Sequence, residues 1–173
     1  VIHCPSSNLL LGSGICPTRD LLDLGINVAL GTDGSASNNG IDLLSEAALA
    51  ESLIKGIAQD ASVYRASNAL GMTTINGARA LGLERQIGSL EVGKDADFVA
   101  FDTRHPAIEP MIDPFRSIIS HSGARCISHV YAKGKPLVEN GICVNTDLAD
   151  LMEKAADWRA SKAFREISER AYN

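Results

Sequence analysis

The stretch Ile26-Asn27-Val28-Ala29-Leu30-Gly31-Thr32 constrains the fold more than any other. It is mostly apolar without strict alternation, which predicts a strand buried on both faces, as in a parallel sheet covered by helices. A second apolar strand, Val1 to Cys4, precedes it and is closed by Pro5. Between the two lie a polar, Gly-rich segment over 6–14, expected as a loop, and a short helix from Thr18 to Leu24. Pro17 sits at the start of that helix and Gly25 stops it. Strand, helix and strand in succession form a βαβ unit, so the two strands should be parallel neighbours with a right-handed crossover. A second polar loop, Asp33 to Gly40, leads into a helix from about Ile41 to Lys55. Leu43, Leu44, Ala47, Ala50, Leu53 and Ile54 recur there at helical spacing. The fold class is α/β.

Residues 62–83 read as helical, broken near Gly71 into two short helices. The pattern changes near residue 85. Ile87 to Lys94 and Ala96 to Asp102 read as short strands or extended pieces, and a Pro-bearing connection over 104–114 follows. Ile127 to Ala132 and Lys135 to Val138 flank Lys133-Gly134 as a hairpin, with Ile142 to Val144 as a further strand. Asp147 to about Ala171 reads as one amphipathic helix packed by its apolar side (Leu148, Leu151, Ala155, Trp158, Ile167), with a solvated face opposite. The expected organisation is residues 1–85 as βα units with following helices, 86–146 as a β-rich part and 147–173 as a C-terminal helix. Two βα units cannot close an eight-stranded barrel, which takes about 250 residues, but they could be the last quarter of one.

The chemistry concentrates where the strands end. Asp33 follows the buried strand directly, and small polar residues follow it in Gly34-Ser35-Ala36-Ser37-Asn38-Asn39. In parallel α/β folds that end of the sheet gathers the active-site loops, so Asp33 is placed to bind a metal or move a proton. The competing reading is Asp33-Gly34 as a tight hairpin turn; the helix pattern that follows, in place of a second strand, favours the functional one. His3, at the corresponding end of the first strand, reads first as a hydrogen-bonded structural residue and second as a ligand. Ser7 and Asn8 shape a pocket wall or cap a turn. The glycines of Leu11-Gly12-Ser13-Gly14 lack phosphate-loop spacing. His105, His121 and His129 show no mutual ligand spacing and read as surface or strand histidines. A catalytic zinc usually needs three protein ligands, so these residues amount to part of an active site.

Composition removes several other classes. Of the 173 residues, 16 are Lys or Arg against 21 Asp or Glu, a net charge of −5, with no basic block and 5% aromatic residues. Nucleic acid is therefore not an expected partner. No apolar run approaches a membrane span. Cys4, Cys16, Cys126 and Cys143 lack any C-x-x-C pattern and read as buried thiols of a reducing, cytoplasmic compartment. The chain opens on a strand already under way, which suggests processing or the tail of something longer.

Four motifs in order carry a resemblance: His3-Cys4-Pro5-Ser6-Ser7-Asn8-Leu9 with Leu11-Gly12-Ser13-Gly14; Gly31 to Asn39; Thr74-Ile75-Asn76-Gly77-Ala78-Arg79-Ala80-Leu81-Gly82-Leu83; and Ile87-Gly88-Ser89-Leu90-Glu91-Val92-Gly93-Lys94-Asp95-Ala96-Asp97. Together they closely resemble the amidohydrolase superfamily over residues 1 to about 150. The nearest branch is that of the 5-methylthioadenosine/S-adenosylhomocysteine deaminases, with the triazine hydrolases, guanine deaminases and 8-oxoguanine deaminases. The resemblance implies the C-terminal portion of a metal-dependent (β/α)8 hydrolase barrel, covering strands seven and eight, plus part of a small β-sandwich domain. It also implies that Asp33 is both a metal ligand and the catalytic proton shuttle. The implied cofactor is a divalent metal ion, zinc by family habit, and the implied substrate a purine nucleoside or related heterocycle. The implied reaction is hydrolytic deamination. The family's other metal ligands and acid–base residues have no match here. Asp42-Leu43-Leu44-Ser45-Glu46 shares the resemblance without carrying a role for Glu46. The competing hypothesis is a catalytically inert assembly module. On either reading, open barrel strands predict a homo-oligomer or association with an N-terminal segment.

Overall fold

The computed structural model describes residues 1–119 and 123–171. Two strands, β1 (Ile2–His3) and β2 (Ala29–Leu30), pair in parallel, with Ile2 opposite Ala29 and His3 opposite Leu30. The ladder runs on through Ala29 N–H to the Val1 carbonyl and Gly31 N–H to the His3 carbonyl, both 2.9 Å. Val28 and Ala29 are wholly buried, as an unalternating apolar strand requires.

The crossover between them holds two helices. The first, α1 (Pro5–Leu10), corrects the expectation of a loop over 6–14. Pro5 presets the helical φ at the first position, and Asn8 and Leu11 donate to the Cys4 and Ser7 carbonyls, so local geometry overrides the Ser-Ser-Asn composition. The second, α2 (Thr18–Asp23), ends as expected at Gly25, whose φ of +73° suits a residue without a Cβ. The Asp33–Gly40 loop likewise contains a single helical turn, α3 (Ser35–Asn38).

Helix α4 (Leu43–Ala58) is capped by Asp42, whose side chain accepts from the Leu44 and Ser45 amides. Its buried Ala47, Ala50 and Ile54 pack with Val28, Leu30, Tyr64, Ala69, Met72 and Ile119 to make the core. Helices α5 (Ala66–Thr73) and α6 (Ile75–Leu81) divide at Thr74, not Gly71. The Thr73 and Thr74 hydroxyls both donate to the Leu70 carbonyl and satisfy it where the helix stops. Asn76 ties α6 to β2: its amide donates to the Val28 carbonyl, and its own carbonyl accepts from the Asn27 amide.

The second half is a four-stranded sheet in the order β3 (Phe98–Phe101), β4 (Ile127–Ala132), β5 (Lys135–Glu139), β6 (Ile142–Cys143), with every neighbouring pair antiparallel. Lys133 and Gly134 both take positive φ, 50° and 72°, and make the expected hairpin turn. A short helix, α7 (Pro114–Ser117), precedes β4. Residues 87–94 are a series of turns and not a strand. Gly88 and Gly93 at φ +93° and +95° reverse the chain, and the Asp95 amide closes the loop onto the Gln86 carbonyl.

The C-terminal helix is two segments, α8 (Leu148–Ala160) and α9 (Lys162–Ala171). Ser161 lies between them, and its hydroxyl accepts from the Phe164 amide. Burial of its apolar side is not observed among the described residues: α8 buries none of its residues, Leu148, Leu151, Met152 and Trp158 are exposed, and Trp158 meets the Phe164 ring of α9 edge-on. All four cysteines are free, but only Cys126 is buried, and Cys143 is exposed at the short edge strand β6. His105 and His129 are half-buried, the latter within β4, and His121 lies outside the described residues. Among the described residues no helix is long and apolar enough to cross a membrane.

Candidate active site

The strand β2 ends at Leu30, and three residues later the backbone turns at Asp33 with φ +59°. Aspartate tolerates this left-handed conformation better than most residues, and such positions gather at sites where geometry matters. The turn presents the Asp33 side chain to solvent at the C-terminal end of the strand pair.

Three donors hold that carboxylate. The Ser7 hydroxyl, from α1, donates to Oδ2 at 2.7 Å; the Ser37 hydroxyl, from α3, donates to the same oxygen at 2.9 Å; and the Gly34 amide donates to Oδ1 at 2.8 Å. A carboxylate has about four acceptor positions, so Oδ2 is filled and Oδ1 keeps one free. Hydrogen bonds to the charged form hold the Asp33 carboxyl below the usual aspartate range, the Ser7 hydroxyl contributing most, then the Gly34 amide, then the Ser37 hydroxyl.

A lowered folded-state pKa favours the fold above the ordinary aspartate value and loses that contribution as pH falls through the lowered one. Ser7→Ala is expected to return the Asp33 titration towards the ordinary range. Carboxylate chemical shifts followed against pH measure this, and an unmoved midpoint would show that the Ser7 contact contributes nothing.

His3 is brought to the same end of the sheet but is buried, 3% exposed, with its Nδ1 lacking any hydrogen-bond partner. Burial lowers its pKa, partly opposed by the negative charge of Glu46. It accordingly sits among buried atoms without the partner expected of a hydrogen-bonded structural histidine. Asn8 serves the backbone, its carbonyl accepting from the Ser13 amide at 2.8 Å.

Ser7, Ser37 and Glu46 are the residues whose roles sequence reasoning missed. Serines in a polar loop carry no signal of a shared partner, and the resemblance over Asp42 to Glu46 carries no role for the glutamate. Glu46 is instead 2% exposed and accepts from the Ser6 amide and the Asn38 side chain. Among the described residues no group of three His, Cys, Asp or Glu side chains converges to hold a metal ion. The free position on Oδ1 fits a single ligand in a larger set.

The amidohydrolase family model matches residues 1–137. The chain belongs to the amidohydrolase family. It is 43% identical over 159 residues to the 5-methylthioadenosine/S-adenosylhomocysteine deaminase of Teredinibacter turnerae, covering 92% of this chain and 36% of that protein. An adenosine deaminase from Xanthomonas campestris with bound zinc superposes with a TM-score of 0.88 at 41% identity, covering 92% of this chain and 36% of that one. The atrazine chlorohydrolase of Arthrobacter aurescens TC1 complexed with zinc superposes with a TM-score of 0.83 at 31% identity, over 90% of this chain and 35% of that one. The amidohydrolase chain thus spans a little over a third of the relatives it matches.

Proposed function

We propose that this chain supplies the closing part of a (β/α)8 hydrolase barrel and part of a small β-sandwich, in a protein that hydrolytically deaminates an adenosine-like nucleoside. In this reading residues 1–85 are the last βα units, with β1 and β2 as strands seven and eight. Residues 86–146 belong to the sandwich and 147–173 form the C-terminal helical segment. The single observation that carries the reading is Asp33: a solvent-facing carboxylate, held ionised by three donors with one acceptor position free, at the C-terminal end of a parallel strand. The exposed side chains of Val1 and Ile2, just before and within β1, support a seat for neighbouring barrel segments. The free cysteines support a reducing, cytoplasmic setting.

Asp33 would be one ligand of a divalent metal, zinc being the ion present in the related structures. When bound, such an ion lowers the pKa of water towards neutrality and makes it a nucleophile. Asp33 accepts the proton that the attacking water loses as its oxygen bonds to the ring carbon bearing the amine. It then returns that proton to the departing nitrogen, the C–N bond breaks, and ammonia leaves. Ser7 and Ser37 keep the carboxylate aimed throughout.

The test is a chimera in which this chain replaces the segment it matches in the Teredinibacter turnerae deaminase. Ammonia release from 5-methylthioadenosine or S-adenosylhomocysteine is expected. A folded, zinc-loaded chimera that releases ammonia from neither would overturn the assignment, and activity on guanine or a triazine alone would move it to those branches.

A further inference from the structure

Glu46 is a buried carboxylate that the chemistry above does not use. It lies in the first turn of α4, whose backbone is fixed by the Asp42 cap and by the buried Ala47, Ala50 and Ile54. Its two oxygens are divided between two short helices: Oε2 accepts from the Ser6 amide of α1 at 3.0 Å, and Oε1 accepts from the Asn38 side-chain amide of α3 at 2.8 Å. The same Asn38 amide donates to the carbonyl of Thr32, the residue before Asp33.

Each of these contacts stands one residue away from a donor to Asp33. Ser6 precedes Ser7, and Asn38 follows Ser37, the two residues whose hydroxyls fill Asp33 Oδ2. We infer that Glu46 is a positioning residue, which clamps the start of α1 and the end of α3 together so that Ser7 and Ser37 meet on one oxygen of Asp33 and leave Oδ1 open. A carboxylate suits this task because it accepts from two donors at once, whereas an amide of the same shape offers one acceptor and one competing donor. Burial raises the stakes: a donor left facing another donor away from water has nothing to replace the lost bond. Mounting the clamp on the long packed helix α4, and not on either of the short helices it joins, is what makes it rigid. That the aimed carboxylate does chemistry rests on the reading proposed above; that Glu46 aims it is a separate claim.

The test follows the Gly34 amide, whose hydrogen bond to Asp33 Oδ1 reports on the carboxylate's orientation without metal or substrate. In Glu46→Gln, hydrogen exchange at Gly34 is expected to quicken about tenfold, the scale of one lost charge-assisted bond, while the amides of the β4–β5 hairpin keep their rates. Asn38→Ala removes the Glu46 contact at α3 together with the Thr32 contact and should quicken Gly34 while leaving Ser6 protected; Glu46→Asp, which keeps the charge and shortens the reach, decides the matter if Glu46→Gln does not fold. An unchanged Gly34 rate in the folded variants overturns the inference. So does a uniform quickening of all amides, which would mark Glu46 as merely stabilising. If Gly34 loosens while ammonia release proves independent of Asp33, the clamp stands and the deaminase reading fails.

Discussion

Asp33→Asn is expected to lower ammonia release by about 10²- to 10⁴-fold, the usual contribution of a positioned acid–base group, in the chimera or in any complete protein carrying this segment. The substitution is chosen because it changes charge and little else. Asparagine tolerates the positive φ of position 33 as well as aspartate does, and its side-chain oxygen can still accept the Ser7 and Ser37 hydroxyls. The amide nitrogen then faces the Gly34 amide, donor against donor, at an exposed position where water relieves the conflict. Folding should therefore survive, which circular dichroism and the thermal midpoint would check. What disappears is the anionic oxygen with its free acceptor position. The nitrogen that replaces it neither binds a cation nor takes a proton near neutral pH. A variant that keeps the parent's rate would remove Asp33 from the mechanism and, with it, the observation on which the functional reading rests.

How far the sequence could be read depended on the range of the interactions involved. The parallel pair was legible because Val28-Ala29-Leu30 is apolar at consecutive positions, and the hairpin because Lys133-Gly134 separates two patterned runs. Both are consequences of neighbours in sequence. Asp33 was legible as a candidate for the same reason: it follows its strand directly. The helix α1 was not, because Ser6, Ser7 and Asn8 have loop composition and the deciding feature, Pro5 at the first helical position, serves equally well as a strand stop. The environment of Asp33 was less legible still. Its hydroxyl donor Ser7 lies 26 residues away, and the Glu46 contact to Ser6 spans 40. No local period encodes a hydrogen bond across that distance; only the packing of α1, α3 and α4 creates it. The exposed apolar side of α8 marks the opposite limit: its amphipathic period is clear, yet among the described residues none of its side chains is buried, and Trp158 meets the Phe164 ring only edge-on.

Gly88→Ala is expected to destabilise the chain by roughly 2–5 kcal/mol, a large share of the 5–15 kcal/mol typical of a domain. Two costs add. The φ of +93° at Gly88 is one that side chains rarely adopt, and a left-handed conformation costs about 1–2 kcal/mol for a residue bearing a Cβ. The added methyl would also lie 2.7 Å from the Ala78 Cβ and 3.1 Å from the Ile75 Cα, and forcing atoms into packed space costs about 1–3 kcal/mol more. Neither neighbour yields easily, because both belong to α6, which Asn76 fastens to the buried strand β2. Gly93 separates the two costs. Its φ of +95° is nearly the same, yet an added Cβ there meets nothing within 4 Å. Gly93→Ala should therefore lose only the conformational part, and the difference between the variants in urea unfolding isolates the contact. Equal losses would mean that Gly88 does not press against α6. Unequal losses in the expected direction would mean that the turns after residue 85 are moored to the helical half by backbone approach. That same approach explains why glycine stands at this point of the Ile87-Gly88-Ser89-Leu90 motif.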